Sequence, residues 1–245
     1  LGEKGIKVSK LQEQVAIFLA GVPPVNLVAP AHVGSGILSF SRDEAIQYVA
    51  IYQKKKNGLD ILKFVPASGS ATRMFQFLSS FITDFDPEKQ TFEAYIKESG
   101  NVNAEIFFEY LSQFAFYDSL QKYIEQHKLL EGLSPDQQKL RIAKLLLEEE
   151  PFNYKNKPKG LFPFHKYGEK VVTAFEEHFR EAFLYASQGE IVNIHFTINK
   201  EYTSLFLNTL AEIRPNLEKH YGVHFEVSFS HQSESTDTVA LTLDN

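Results

Sequence analysis

The spacing of apolar residues changes several times along the chain, and each change predicts an element boundary. Over residues 9–20 the apolar positions recur at helical spacing, which predicts an amphipathic helix. A second helix is predicted to begin after Ser41, because Glu44 follows three residues later and completes a capping box. We therefore interpret residues 1–58 as an N-terminal helical segment.

The next stretch changes from strand to helix across a short loop. Residues 59–65 alternate and then become continuously apolar, which predicts a buried strand. Pro66 is predicted to end the strand, because proline cannot donate to a sheet ladder. Small residues fill positions 67–71, and an apolar helical pattern begins after Met74. This order is typical of a phosphate-holding turn, because the loop N–H groups and the helix N-terminus can face an anion.

Residues 84–151 show only helical patterns. The longest helix is predicted over residues 104–127, where aromatic and aliphatic side chains form a broad apolar stripe. Such a stripe is typical of helix packing in a core. Ser134 and Pro135 predict the start of a further helix, as its N-cap and its first residue. We interpret this block as a helical insertion in an α/β domain that spans residues 59–245.

Helices and strands alternate after the block. Residues 157–170 are rich in proline, glycine and lysine, which predicts a loop. The elements predicted next are a helix, a strand, a helix, a strand and a last strand, over residues 171–185, 191–198, 201–217, 223–229 and 238–243. This order favours an α/β fold with a mostly parallel sheet.

Composition and charge restrict the partners more than the fold. The chain has 245 residues, is 43% hydrophobic and carries a net charge of −6. An acidic chain argues against a nucleic-acid partner, since phosphate neutralisation needs clustered lysine and arginine. The absence of cysteine excludes disulfides and thiolate metal ligands. No run of about 18 apolar residues occurs, so we expect no membrane partner and a cytoplasmic location. The oligomeric state stays open.

Two separated stretches resemble one known signature. Residues 67–74 read Ala-Ser-Gly-Ser-Ala-Thr-Arg-Met and resemble the Ala-Gly-x-Gly-Thr-Arg-Met loop of sugar-phosphate nucleotidyltransferases. Residues 158–164 read Pro-Lys-Gly-Leu-Phe-Pro-Phe and resemble the second half of that signature, Pro-Lys-x-Leu-Leu-Pro-Val. The helical block accounts for the distance between the halves. Ala71 departs from the pattern, which has its second glycine at that place.

The resemblance implies that six residues hold phosphate. They are Gly69, Ser70, Ala71, Thr72, Arg73 and Lys159. The first three would supply backbone donors, while Thr72 is alternatively the N-cap of the following helix. Arg73 and Lys159 would be the catalytic residues, because paired cations can clamp the charge of a transferred phosphoryl group. This function requires the two cations to converge within reach of one phosphate.

The base and the metal are less well placed by the resemblance. Gln232 and Thr238 faintly resemble a Gln…Gly-Thr segment that helps to read the nucleotide base, and they are candidate ligand-binding residues. The resemblance also implies Mg²⁺ as a cofactor, without locating its ligands. In the nucleotidyltransferase pattern a metal-binding aspartate follows this segment, so we expect it at Asp244 or beyond Asn245, in a domain that is incomplete at its C-terminus.

The whole layout resembles a bacterial family, domain-of-unknown-function family 4301, from about residue 59 to residue 245. The resemblance implies a Rossmann-like, nucleotide-diphospho-sugar transferase-like fold. It further implies binding of a nucleoside triphosphate or sugar phosphate, and nucleotidyl transfer with release of pyrophosphate. Two alternatives stay open. One is a non-catalytic scaffold that binds a nucleotide-sugar or a protein, and the other is a glycosyltransferase that uses a nucleotide-sugar.

Overall fold

A computed structural model describes most of the chain and divides it into two compact units. The described residues are 2, 5–21 and 24–233. The first unit comprises Leu1–Ile61 and His231–Asn245, and the second comprises Leu62–Ser230.

The described part of the first unit contains two α-helices and two short parallel strands. They are α1 (Val8–Ala20), β1 (His32–Val33), β2 (Gly36–Ile37) and α2 (Arg42–Lys55). The predicted capping box begins α2: the Glu44 N–H donates to Ser41 Oγ at 3.3 Å, and the Ser41 N–H donates to Glu44 Oε2 at 2.8 Å. None of the described residues of this unit is buried.

The second unit begins with one strand, and a block of helices follows it. These elements are β3 (Leu62–Pro66), α3 (Gln76–Asp84), α4 (Phe92–Ser99), α5 (Val102–Glu109), α6 (Tyr117–His127) and α7 (Pro135–Glu148). The helices enclose an aromatic core, in which the Phe81 ring lies 4.9 Å from the Phe85 ring and 5.5 Å from the Phe92 ring, between centroids. Ser134 caps α7 and Pro135 is its first residue, so the predicted start is confirmed.

The prediction of one continuous helix over residues 104–127 is wrong. The helix stops at Glu109, a 3₁₀ turn follows, and a new helix begins at Tyr117. The break lets Phe114 and Phe116 stack on each other with their ring centroids 5.3 Å apart. Residues two apart on a continuous helix do not face each other, so the buried Phe116 ring and the exposed Phe114 ring can stack only because the helix is interrupted.

The remaining elements build the sheet and its covering layer. They are β4 (His165–Tyr167), β5 (Lys170–Val172), α8 (Ala174–Ala186), β6 (Ile191–Ile198), α9 (Thr203–Tyr221) and β7 (His224–His231). The strand order is β3-β6-β7, and β3 runs parallel to β6, with Leu62 opposite Asn193 and Pro66 opposite Thr197. The strand predicted over residues 191–198 is confirmed.

The observed strands differ from the predicted ones at some positions and agree with them at others. Residues 157–170 are not a plain loop, because β4 and β5 pair antiparallel across a turn in which Gly168 has a φ of 61°. The prediction that Pro66 ends the strand is confirmed, because Pro66 is the last residue of β3, a position that an edge strand tolerates because it has one open side. The strand predicted over residues 238–243 lies outside the described residues.

One face of the sheet packs against α8 and α9 in a second core. This core contains Phe179 of α8, Phe196 of β6, Phe206 of α9 and Phe225 of β7, all fully buried. The fold is therefore mixed α/β with a parallel strand pair, as the order of elements predicts. No helix of the described chain is long and apolar enough to cross a membrane.

The two cores share two crossing segments. Ala71 and Phe162 belong to the core of the helical block. Ala67 and Leu161 pack instead against the core of the sheet. The loop after β3 and the segment around Leu161 therefore each pass from one core to the other, and both crossings lie where the sequence resembles the nucleotidyltransferase signature.

Candidate functional site

The two signature-like stretches meet through backbone hydrogen bonds. Ser70 and Pro158 form an isolated antiparallel bridge. The Lys159 N–H donates to the Gly69 carbonyl oxygen at 2.9 Å, and the Ala71 N–H donates to the Lys157 carbonyl oxygen at 3.3 Å. Residues on the two sides of the helical block are thus held together by main-chain contacts.

A cavity of about 230 Å³ lies where these stretches meet at the carboxyl end of β3. Gly69, Lys159, Gly160 and His178 line it, together with apolar residues from the sheet and α8. Ligands of open α/β sheets bind outside the carboxyl ends of the strands. The position of the cavity therefore fits a ligand site.

Gly69 has no structural reason to be glycine within the described chain. Its φ lies outside the left-handed region, and a Cβ atom built on it would meet no atom within 4 Å. Gly160, by contrast, is required by packing, because its Cβ would lie 3.2 Å from Cζ of Phe206. A missing side chain lets a ligand approach the backbone closely, so the open space at Gly69 suits an anion at the loop.

Lys159 supplies positive charge at this cavity. Its side chain is exposed and lines the cavity, and it forms no ion pair with any described residue. An unpaired lysine beside backbone N–H groups is a simple receptor for a phosphate. Ser70 lies in the same loop, and its hydroxyl is 2.9 Å from the hydroxyl of Thr72.

His178 is a site residue that the sequence did not reveal. It lines the cavity, and its Nδ1 lies 3.1 Å from Oε2 of Glu181. The buried ammonium of Lys63 donates to the same carboxylate oxygen, and this bond lowers the pKa of Glu181. The carboxylate is therefore ionised and accepts the Nδ1 proton.

The protonation of His178 follows from its surroundings. Burial lowers the pKa of His178 below its ordinary value, against the opposing effect of Glu181. The ring is therefore neutral near pH 7, with Nδ1 as the donor and Nε2 as an acceptor. A neutral imidazole of this kind can accept a hydroxyl proton or take up a proton from a ligand.

Sequence signals for this group exist, although each is weak. Lys63 interrupts an apolar strand pattern between Leu62 and Phe64, and a buried lysine needs a partner. His178 and Glu181 are three residues apart in a predicted helix, so they share a face. Nothing in the sequence alone shows that these two elements are neighbours.

Ala71 does not offer the predicted backbone donor, and Thr72 is not the predicted N-cap, while the role of Thr72 as a ligand-binding residue stays a prediction. The Ala71 N–H is occupied by the Lys157 carbonyl oxygen, and its methyl group is 1% exposed in the core of the helical block. The Ala71 N–H is therefore not free for an anion. Thr72 is not an N-cap, because α3 begins only at Gln76 and its N-cap position, Phe75, makes no side-chain capping bond.

Arg73 and Lys159 line different cavities. Residues 72–75 form a turn before α3, and the exposed Arg73 side chain lines a separate cavity of about 500 Å³ with Asp84 and Asn101. No residue lines both this cavity and the one at Lys159. The two-cation clamp around one phosphate therefore stays a prediction.

The other predicted ligand residues belong to the first unit, and most of them lie beyond the described residues. Gln232 is exposed and belongs to the first unit, and Thr238 and Asp244 lie beyond the part of the chain that the structure describes. Residues lining the cavity at Lys159 include no carboxylate, and no group of three His, Cys, Asp or Glu side chains among the described residues could hold a metal ion. The residues present at this cavity do not fit Mg²⁺, which prefers carboxylate oxygens.

These features define a mixed α/β protein with a candidate anion-binding cavity at the carboxyl end of a strand. Residues 1–245 match the family described as "Domain of unknown function (DUF4301)", and the chain belongs to that family. Comparison with curated proteins and comparison with solved structures each gave no match. The family prediction is confirmed, whereas the resemblance to nucleotidyltransferases stays a prediction.

Proposed function

We propose that this protein binds a nucleoside triphosphate or a sugar phosphate through a phosphate group in the cavity at Lys159. The observation that carries the proposal is the backbone bridge between Ser70 and Pro158. It brings two stretches that each resemble part of a phosphate-handling signature to one place. The reaction class we propose for the family is nucleotidyl transfer with release of pyrophosphate.

Each site residue has a distinct role in this proposal. The loop N–H groups at Gly69 and Ser70 donate to the phosphate oxygens, and Lys159 neutralises their charge. His178 accepts a hydrogen bond from a ligand hydroxyl through Nε2, because Glu181 holds the proton on Nδ1. Such fixed donors need no reorganisation when charge develops during a reaction.

Calorimetric titration tests this binding. The protein is titrated with UTP, CTP, GTP and ATP, each with MgCl₂, and at least one is expected to bind. Lys159→Ala should weaken that binding about 10- to 100-fold, since a hydrogen bond to a charged group contributes roughly 1.5–3 kcal/mol. Lys122→Ala removes the same charge from an exposed position on α6 and should leave the affinity unchanged. Absence of nucleotide binding by the wild-type protein would refute a nucleoside triphosphate as the ligand, and equal effects of the two variants would refute the role of Lys159.

A non-catalytic nucleotide-sugar-binding or protein-binding scaffold is the second candidate. Two observations favour it: Arg73 lines a different cavity from Lys159, and the cavity at Lys159 has no carboxylate for a metal. A panel of sugar 1-phosphates with the bound nucleotide, followed by pyrophosphate detection, separates the two functions. Pyrophosphate release that is lost in Lys159→Ala supports the transferase, and binding without release supports the scaffold.

A further inference from the structure

A second, apolar cavity adjoins the proposed phosphate site. It has a volume of about 390 Å³, and every residue that lines it is apolar except Asn103. Its walls come from α5, the break before α6 and the segment that follows Gly160. Apolar cavities with few polar groups are typical of small-molecule sites.

One short segment forms a wall of both cavities. Lys159 and Gly160 line the cavity at the phosphate site. Phe162 and Pro163 line the apolar cavity. Phe164 lines both. The two cavities are therefore neighbours that have the Phe164 side chain as a common wall.

The apolar cavity exposes side chains that a ligand would cover. Ile106 is 49% exposed, Phe114 is 38% exposed and Phe164 is 41% exposed, and all three line the cavity. Apolar surface left in water is unfavourable in proportion to its area. Exposed apolar side chains gathered around one concave site mark a place of interaction more strongly than scattered ones.

We propose that the ligand of this protein is amphiphilic, with its phosphate group at Gly69 and Lys159 and a single apolar chain or ring system in the cavity at Phe114. This inference rests on the phosphate site of the proposed function and concerns the group that is attached to that phosphate. At roughly 30 Å³ per water-sized group, the cavity holds about thirteen such groups. It is thus large enough for one medium-length chain.

Alkyl phosphates of increasing length provide the probe. The intact protein is titrated with inorganic phosphate and with butyl, hexyl and octyl phosphate below their micelle-forming concentrations. Transfer of a methylene group out of water corresponds to about fourfold in affinity. Octyl phosphate has four more methylene groups than butyl phosphate, so it should bind at least about a hundredfold more tightly. Equal affinities for the two esters would overturn the proposal.

Two variants of α5 give a matched pair. Ile106→Asp places a carboxylate at the apolar cavity, and Val102→Asp makes a similar change at a position of nearly equal exposure, 51% against 49%, that does not line it. Ile106→Asp should abolish the dependence on chain length, and Val102→Asp should retain it. Equal behaviour of the pair contradicts the assignment. Circular dichroism of both variants confirms that each is folded.

The position of the phosphate group is tested separately. Lys159→Ala should weaken the binding of octyl phosphate about tenfold or more, and Arg73→Ala, at the neighbouring cavity, should not. The opposite result would place the head group at Arg73 and overturn the proposal.

Two further results distinguish this inference from the proposed function. If a nucleotide binds but the affinity for alkyl phosphates does not depend on their chain length, the amphiphilic ligand is refuted and the proposed function is not. Octanol binding that is lost in Ile106→Asp, together with no effect of Lys159→Ala on any phosphate ester, refutes the phosphate site. Binding to phosphatidate vesicles without binding of octyl phosphate would point to a membrane surface and would also contradict the proposal.

Discussion

Replacing Gly69 by alanine should leave the fold intact and damage ligand binding. The structure gives Gly69 a φ that other residues adopt, and open space where the Cβ atom would lie. Gly160→Ala is the matched control, because it makes the same chemical change at the same cavity. There the new Cβ would lie 3.2 Å and 3.3 Å from two ring atoms of Phe206, which is fully buried.

The expected stability difference follows from these contacts. Both changes restrict the unfolded chain equally, and a compatible Gly→Ala change raises the free energy of unfolding by about 0.4–1 kcal/mol. Only Gly160→Ala also has an overpacking cost, which is typically about 1–3 kcal/mol. Gly69→Ala should therefore be as stable as the wild type or slightly more stable, and Gly160→Ala should be less stable than Gly69→Ala by about 1–3 kcal/mol.

Gly69→Ala should weaken ligand binding although it leaves stability unchanged or slightly raised. A methyl group in the open space would keep an anion away from the loop N–H groups. Loss of one hydrogen bond to a charged group is worth roughly 1.5–3 kcal/mol, which is about 10- to 100-fold in the dissociation constant. Calorimetric titration with the nucleotide that the wild-type protein binds measures this change.

Urea unfolding and the same titration, applied to both variants, decide the matter. A loss of stability in Gly69→Ala that equals the loss in Gly160→Ala would refute the conformational reasoning. Wild-type affinity in Gly69→Ala would refute the role of the loop as an anion receptor.

Three further predictions concern the core, a helix start and a titrating group. Phe81→Ala should lower the free energy of unfolding by about 3–5 kcal/mol in urea titrations, because the fully buried ring would leave a cavity among its aromatic neighbours. Ser134→Ala should cost about 1 kcal/mol in the same assay, since it removes the capping box of α7. Burial lowers the pKa of His178, so the unfolded chain takes up that proton at a higher pH than the folded protein. Stability should therefore fall as the pH drops below about 6.5, and His178→Gln should reduce that fall in urea midpoints measured across pH.

The fold class could be predicted from the sequence because the local patterns are strong. Apolar and polar residues alternate strictly over residues 192–198, and the apolar positions there are the buried ones. The break between Glu109 and Tyr117 could not be predicted, since it depends on the packing of Phe116 in a core built from distant helices, with the exposed Phe114 ring stacked on it.

The sequence predicted only the part of the candidate site that main-chain hydrogen bonds hold together. Gly69 and Lys159 line one cavity, as the resemblance implies, because main-chain bonds join their two stretches. The direction of Arg73 depends on the exact path of the turn that precedes α3, which residue types do not specify. His178 acquires its environment from Lys63 on another element, and no local pattern shows that contact.

Both signature-like stretches cross between the two cores, so ligand binding should change the local stability of each core. Ala71 and Phe162 are anchored in the helical block, whereas Ala67 and Leu161 are anchored at the sheet. The site therefore exists only while both cores are formed, and a bound ligand must oppose the local opening of either one. Amide hydrogens of α7, which no ligand at Lys159 would touch, should exchange more slowly with solvent when the site is occupied.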